Sequence, residues 1–120
     1  MSTIDKIRKQ LLANDLSGVT FVRDYLQLQF NPPPGFNVYS RCEVAAGSQR
    51  TTFGEPDFAN AIIACIDKEV VEVRDDLKEQ SVVISLAGDV RIVLPYGEGT
   101  FVGPEALEFQ GAEDIWVVWP

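Results

Sequence analysis

In Ser81 to Leu94, S-V-V-I-S-L-A-G-D-V-R-I-V-L, apolar residues recur at every second position on either side of a turn, which predicts two strands folded back over Ala87-Gly88-Asp89. A connection that pairs Leu86 with Val90 puts Val82, Ile84, Leu86, Val90, Ile92 and Leu94 on one buried face. Gly88 supplies the positive φ such a turn needs. The opposite face carries Val83, Ser85, Arg91 and Val93. It is half apolar, so the pair is expected inside a sheet, partly covered on both sides.

Elsewhere the period changes. Ile4, Ile7, Leu11 and Leu12 recur at helical spacing behind Ser2 or Thr3 as a cap, predicting a helix over about 3–14. Val19 to Val22 reads as a short strand, and Tyr25 to Phe30 alternates with Leu26, Leu28 and Phe30 inward and Tyr25, Gln27 and Gln29 outward. Asn31-Pro32-Pro33-Pro34-Gly35 is a stiff turn, since the prolines fix φ and give the ladder no donors. Phe36 to Val44 returns as a third strand, and the three form a meander. The small and polar residues of 45–54 predict a loop. Pro56 fits the first turn of a second helix over about 56–67, with Phe58, Ile62, Cys65 and Ile66 on one face. Glu69 to Arg74 reads as a strand with Val71 and Val73 on one side, followed by a loop over 75–80.

After Pro95 the loop Tyr96 to Pro104 contains three glycines, but their spacing, G-x-G-x-x-x-G, is not that of a nucleotide fingerprint, and Glu98 would repel a phosphate. Glu105 to Phe109 and Ile115 to Trp119 form a last hairpin over Gly111 to Asp114. In its final strand Ile115, Val117 and Trp119 face one way, Trp116 and Val118 the other. Two placements satisfy that pattern: an interior strand of the sheet, or an exposed Trp116 that completes a dimer or partner interface. Runs of strands broken by only two helices give an α+β class: one domain over residues 1–120, with a largely antiparallel, twisted sheet of about six to eight strands and both helices packed on it.

Composition narrows the chemistry. At 120 residues, 46% hydrophobic and 23% charged, the chain is ordinary for one globular domain. No apolar run is long enough for a membrane helix, and the N-terminus has no signal-peptide core, so a cytoplasmic protein without membrane contact is expected. The net charge is −8, and it is unevenly spread: residues 1–50 hold six basic residues against four acids, residues 51–120 four against fourteen. That argues against nucleic acid, whose phosphates need a basic footprint. Either the acids simply solvate the surface, or Glu98, Glu105, Glu108, Glu113 and Asp114, with Trp116, form a surface for a basic protein partner.

The chain contains no histidine, which removes the usual neutral-pH base, the Ser-His and Cys-His arrangements and the commonest zinc ligand. Cys42 and Cys65 read as two buried thiols. Asp24, Glu43, Glu55 and Glu105 remain as carboxylates for acid–base work, but nothing in their spacing gathers them. No cofactor or metal is expected.

Val22-Arg23-Asp24-Tyr25-Leu26-Gln27-Leu28-Gln29-Phe30, Phe53-Gly54-Glu55-Pro56, Ile84-Ser85-Leu86, Gly103-Pro104-Glu105-Ala106 and terminal Trp116-Val117-Val118-Trp119 resemble segments of an uncharacterised group of small bacterial proteins. The resemblance implies a compact bacterial domain of the kind that accompanies toxin systems, and assigns no residue a role. Three functions follow as expectations: an interaction protein, immunity-like in covering a basic partner; a structural homodimer joined through the Trp116 strand; or a small-molecule binder or carboxylate enzyme with a pocket beside the loop at 45–54 or 96–104.

Overall fold

A computed structural model describes residues 2–120. Its elements run α1 (Thr3–Leu11), β1 (Gly18–Val22), β2 (Tyr25–Gln29), β3 (Gly35–Val38), β4 (Glu43–Ala46), β5 (Gln49–Thr52), α2 (Phe58–Ile63), β6 (Val70–Asp76), β7 (Ser81–Leu86), β8 (Val90–Pro95), β9 (Leu107–Gln110) and β10 (Trp116–Trp119). The class is α+β, as expected. The strands number ten, and they divide into two antiparallel five-stranded sheets: sheet I, β1-β2-β3-β9-β10, and sheet II, β5-β4-β8-β7-β6.

The β7–β8 hairpin has the expected register, with Leu86 opposite Val90 and Ile84 opposite Ile92. Its inward residues join Leu26, Leu28, Phe36, Val38, Leu107 and Phe109 of sheet I, together with Ile7 and Leu11 of α1 and Phe58 and Ile62 of α2, in one hydrophobic cluster. Each fully buried side chain of this kind contributes about 1.5–3 kcal/mol through water release.

The strand expected over Phe36 to Val44 is two strands in different sheets. Between them, Tyr39 to Cys42 carries the chain across. It is held there by the returning segment: Tyr39 N–H donates to the Ala106 carbonyl at 2.9 Å, Arg41 N–H to that of Thr100 at 2.9 Å, and Ser40 bridges Phe101. The alternation of Phe36, Val38, Ser40, Cys42 and Val44 runs unbroken through the crossing, so a period of two marks no boundary there.

Further departures have local causes. Residues 45–54 contain the β4–β5 hairpin, with Ala46 opposite Gln49 and Gly47 at φ 60° in the turn; β5 is an edge strand, and its polar Gln49-Arg50-Thr51-Thr52 hides the strand signal. In β6 the register slips between Val70 and Glu72. This bulge leaves Val70 and Val73 buried and Val71 53% exposed, so Val71 and Val73 do not share a side. α1 is capped by Ser2, whose Oγ accepts from Asp5 N–H at 3.2 Å. It ends at Leu11 because Ala13 turns to φ 70° and the following backbone pairs along 67–70, Val70 N–H donating to the Asn14 carbonyl at 2.8 Å. α2 is likewise shorter than 56–67, with tight turns from Ala64 to Asp67.

Candidate interaction face

With the inner faces spent on the core, each sheet presents an outer one. On sheet I, pairing aligns Thr20, Gln27, Asn37, Glu108 and Val118 across the five strands, and beside them Gly18, Gln29, Gly35, Gln110 and Trp116. These strands contain no Lys or Arg, and Glu108 is their one charge. Tyr25 and Tyr39 extend the face, with ring centroids 4.9 Å apart.

Glu108 uses both carboxylate oxygens. Oε1 accepts from Asn37 Nδ2 at 2.8 Å and Tyr39 OH at 3.3 Å; Oε2 accepts from Trp116 Nε1 at 2.6 Å and Gln110 Nε2 at 3.4 Å. The Asn37 bond, then those from Trp116, Gln110 and Tyr39, hold its pKa below the usual carboxylate range against the opposing effect of burial. The Tyr39 phenol is raised by burial first and by the Glu108 and Glu105 charges after it. Trp116, a residue 65% exposed, is therefore braced on the edge strand. The interior placement of β10 does not hold; only its Val117 and Trp119 side packs against the core. Gly35 lacks a side chain in the middle of this face, where a hollow of about 150 Å³ opens between Gln29, Asn37, Gln110 and Pro33.

Of the carboxylates expected to make an acidic surface, Glu108 meets Trp116 directly. Glu105 lies before β9, where it borders a hollow of about 240 Å³ with Tyr39, Val102 and Pro104. Glu113 and Asp114 occupy the exposed β9–β10 turn at φ 59° and 61°, with Glu113 beside Lys6 and Lys9 of α1. Glu98 is separate, at the exposed tip of the glycine loop. Sequence reasoning missed Asn37, Tyr39 and Gln110 as members of this face, although the same alternation that placed Gln27 and Gln29 outward applies to them.

Where the chain crosses between sheets, Asp24, Tyr39, Ser40, Phe53 and Phe101 line a groove of about 560 Å³. Ser40 is 5% exposed, and its Oγ has no hydrogen-bond partner among the described residues. Of the other acids considered for catalysis, Glu43 stands on β4, Glu55 accepts from Thr52 N–H at 2.5 Å in the turn after β5, and Glu105 borders the neighbouring hollow; none of the three lines the Asp24 groove. Among the described residues no three His, Cys, Asp or Glu side chains come close enough to hold a metal ion. Cys42 and Cys65 are free and buried, and burial pushes both thiols up, toward the protonated form. Among the described residues no helix is long and apolar enough to cross a membrane.

In architecture this is a two-sheet α+β domain with one open face of amides, tyrosines and a braced tryptophan. Compared with protein-family models, curated proteins and solved structures, the chain gives no match.

Proposed function

We propose that this chain is a non-enzymatic interaction protein that binds a basic protein partner through the open face of sheet I. The observation that carries the reading is Trp116: it is exposed, yet fixed by the Glu108 carboxylate on a face with no basic residue. A tryptophan held in one orientation loses little freedom on binding and is favoured at binding hot spots. Lys or Arg of a partner can lie over its indole, an attraction worth about 0.5–2 kcal/mol as water is excluded. The net charge of −8 speeds the approach of such a partner. In keeping with the resemblance to an uncharacterised group of small bacterial proteins, the partner we propose is a basic toxin, and the action immunity-like inhibition in the bacterial cytoplasm.

Affinity capture from the native host tests this with wild type, Trp116→Ala and Glu108→Lys as baits. The expected result is a basic protein held by wild type, released as salt is raised, and bound at least about 30-fold more weakly by each variant, the size of a hot-spot loss near 2 kcal/mol. Capture that ignores both salt and the substitutions refutes it. A second reading rests on β10 being an edge strand with an open side: there the partner is another copy of the chain. Sedimentation at micromolar concentration separates the two, since a chain that stays monomeric excludes the homodimer.

A further inference from the structure

The outer face of sheet II has a different chemistry. A cavity of about 400 Å³ on it gathers Arg41, Arg50, Arg74 and Arg91, four of the chain's six arginines, in a molecule of net charge −8. Three acids share the lining, Glu43, Asp76 and Glu79, so the cavity is locally positive. Register explains the gathering: Arg74 pairs across to Val83, Val83 to Val93 and Val93 to Glu43, while Arg91 pairs with Ala45 and Ala45 with Arg50. Charged rims on β6 and β4 thus stand three strands, about 14 Å, apart. Between them lies a floor of Val83, Val93 and Pro95, with Ser81.

Two features set this cavity apart from an ordinary solvated face. Val83, in the floor, is buried at 4% exposure although it is not part of the central cluster. In addition, the guanidinium groups are little used. Arg41 donates to the Gly99 carbonyl at 2.9 Å, Arg50 Nε stands 3.2 Å from Glu43 Oε1 without the alignment of a hydrogen bond, and Arg74 reaches Asp76 only at 3.7 Å. Arg91, near the middle, has no ion pair or side-chain hydrogen bond among the described residues, and Glu43 Oε1 is a buried acceptor without a donor. Each guanidinium offers five N–H donors in a planar fork that matches an oxyanion.

We propose that this cavity binds a small organic anion, one carboxylate or phosphate group on an apolar body that carries a hydrogen-bond donor. The anionic group takes the fork of Arg91, the apolar body lies on Val83, Val93 and Pro95, and the donor satisfies Glu43 Oε1. The acids on the rim disfavour a polyanion, which selects for a single anionic group. The volume lies in the range of small-molecule sites. This site is on the sheet opposite the proposed partner face and stands or falls separately from it.

The probes are 4-(hydroxymethyl)phenyl phosphate and 4-(hydroxymethyl)benzoate, whose hydroxyl is the donor, with benzyl alcohol as the neutral control, titrated at constant ionic strength into isotope-labelled protein followed by amide and arginine Nε–H resonances. Saturable shifts confined to β4, β7 and β8 and to the Arg91 side chain are expected with an anionic probe. Arg91→Gln should weaken binding about tenfold or more, the loss of one bidentate charge-assisted pair, whereas Arg23→Gln, at the β1–β2 turn, should bind as wild type. Response to only one of the two anions identifies the group the cavity takes. Failure of both to saturate, equal binding of benzyl alcohol, or wild-type affinity in Arg91→Gln overturns the proposal. Should Arg91→Gln disturb the backbone spectrum, Arg91→Lys, which keeps the charge and loses the planar fork, carries the same expectation.

Discussion

Replacing Glu108 by Gln tests whether a carboxylate, rather than any polar group of that size, organises the face of sheet I. The Asn37 and Tyr39 donors converge on one oxygen and those of Trp116 and Gln110 on the other. A carboxamide has one oxygen and one NH₂, so either orientation sets donors against donors on one side. The lost interaction is at least one of the two short bonds, at 2.8 or 2.6 Å. Discounted for partial exposure, that amounts to about 1–2 kcal/mol at neutral pH, or a fall in Tm of about 4–8 °C for a domain of this size. The pH dependence follows from the depressed pKa. A carboxylate held below its unfolded value of about 4.3 contributes stability that is fully present above that value and is lost as pH falls through the folded one. Thermal melts of wild type and Glu108→Gln should therefore differ most at neutral pH and converge in acid. Equal melting temperatures at neutral pH, or a gap that persists undiminished in acid, would refute the argument.

The Tyr96 phenol, pushed up to about 12 by burial first and then by its 2.6 Å bond to Asp75, should ionise above the ordinary tyrosine value in an ultraviolet titration; its contribution, about 1 kcal/mol, is present below pH ~10 and lost as pH rises through the folded value, and Tyr96→Phe should remove it. A Cβ at position 35 would stand 2.6 Å from the Leu28 carbonyl oxygen, so Gly35→Ala should lower stability to urea by about 2 kcal/mol or more; an unchanged midpoint would mean the β2–β3 pairing yields easily. Ser40→Ala removes a buried hydroxyl without a partner and should stabilise by about 1 kcal/mol. A loss of stability there would show that the hydroxyl has a partner in solution.

The β7–β8 hairpin was legible because one face had to be buried and a one-residue slip would have exposed it all. The Glu108–Trp116 contact was half legible: both residues lie on the last hairpin, and only the exact register across Gln110 and Trp116 brings them together. What the sequence withheld depends on distant pairing. Asn37 and Glu108 are 71 residues apart, and no local pattern tells β3 to take β9 as its neighbour. The arginines at 41, 50, 74 and 91 are scattered singly and read as solvated charges until strand order brings them over one floor. The bulge at Val71 and the crossing at Tyr39 to Cys42 escape for a related reason: alternation reports which side a residue faces, not which sheet it belongs to.

The strand orders also impose a sequence of events on folding. Sheet II is built from one unbroken stretch, β4 to β8, whereas sheet I needs β1–β3 from before that stretch and β9–β10 from after it. Sheet II can therefore close its loops while sheet I still waits for its distant half, since long-range closure carries the larger entropy penalty. In pulse-labelled hydrogen exchange, amides of β6–β8 should gain protection before those of β3 and β9. During synthesis the arginine-rich face is then organised while the tryptophan-bearing face is still missing two of its five strands, so the molecule becomes competent at its two surfaces at different times.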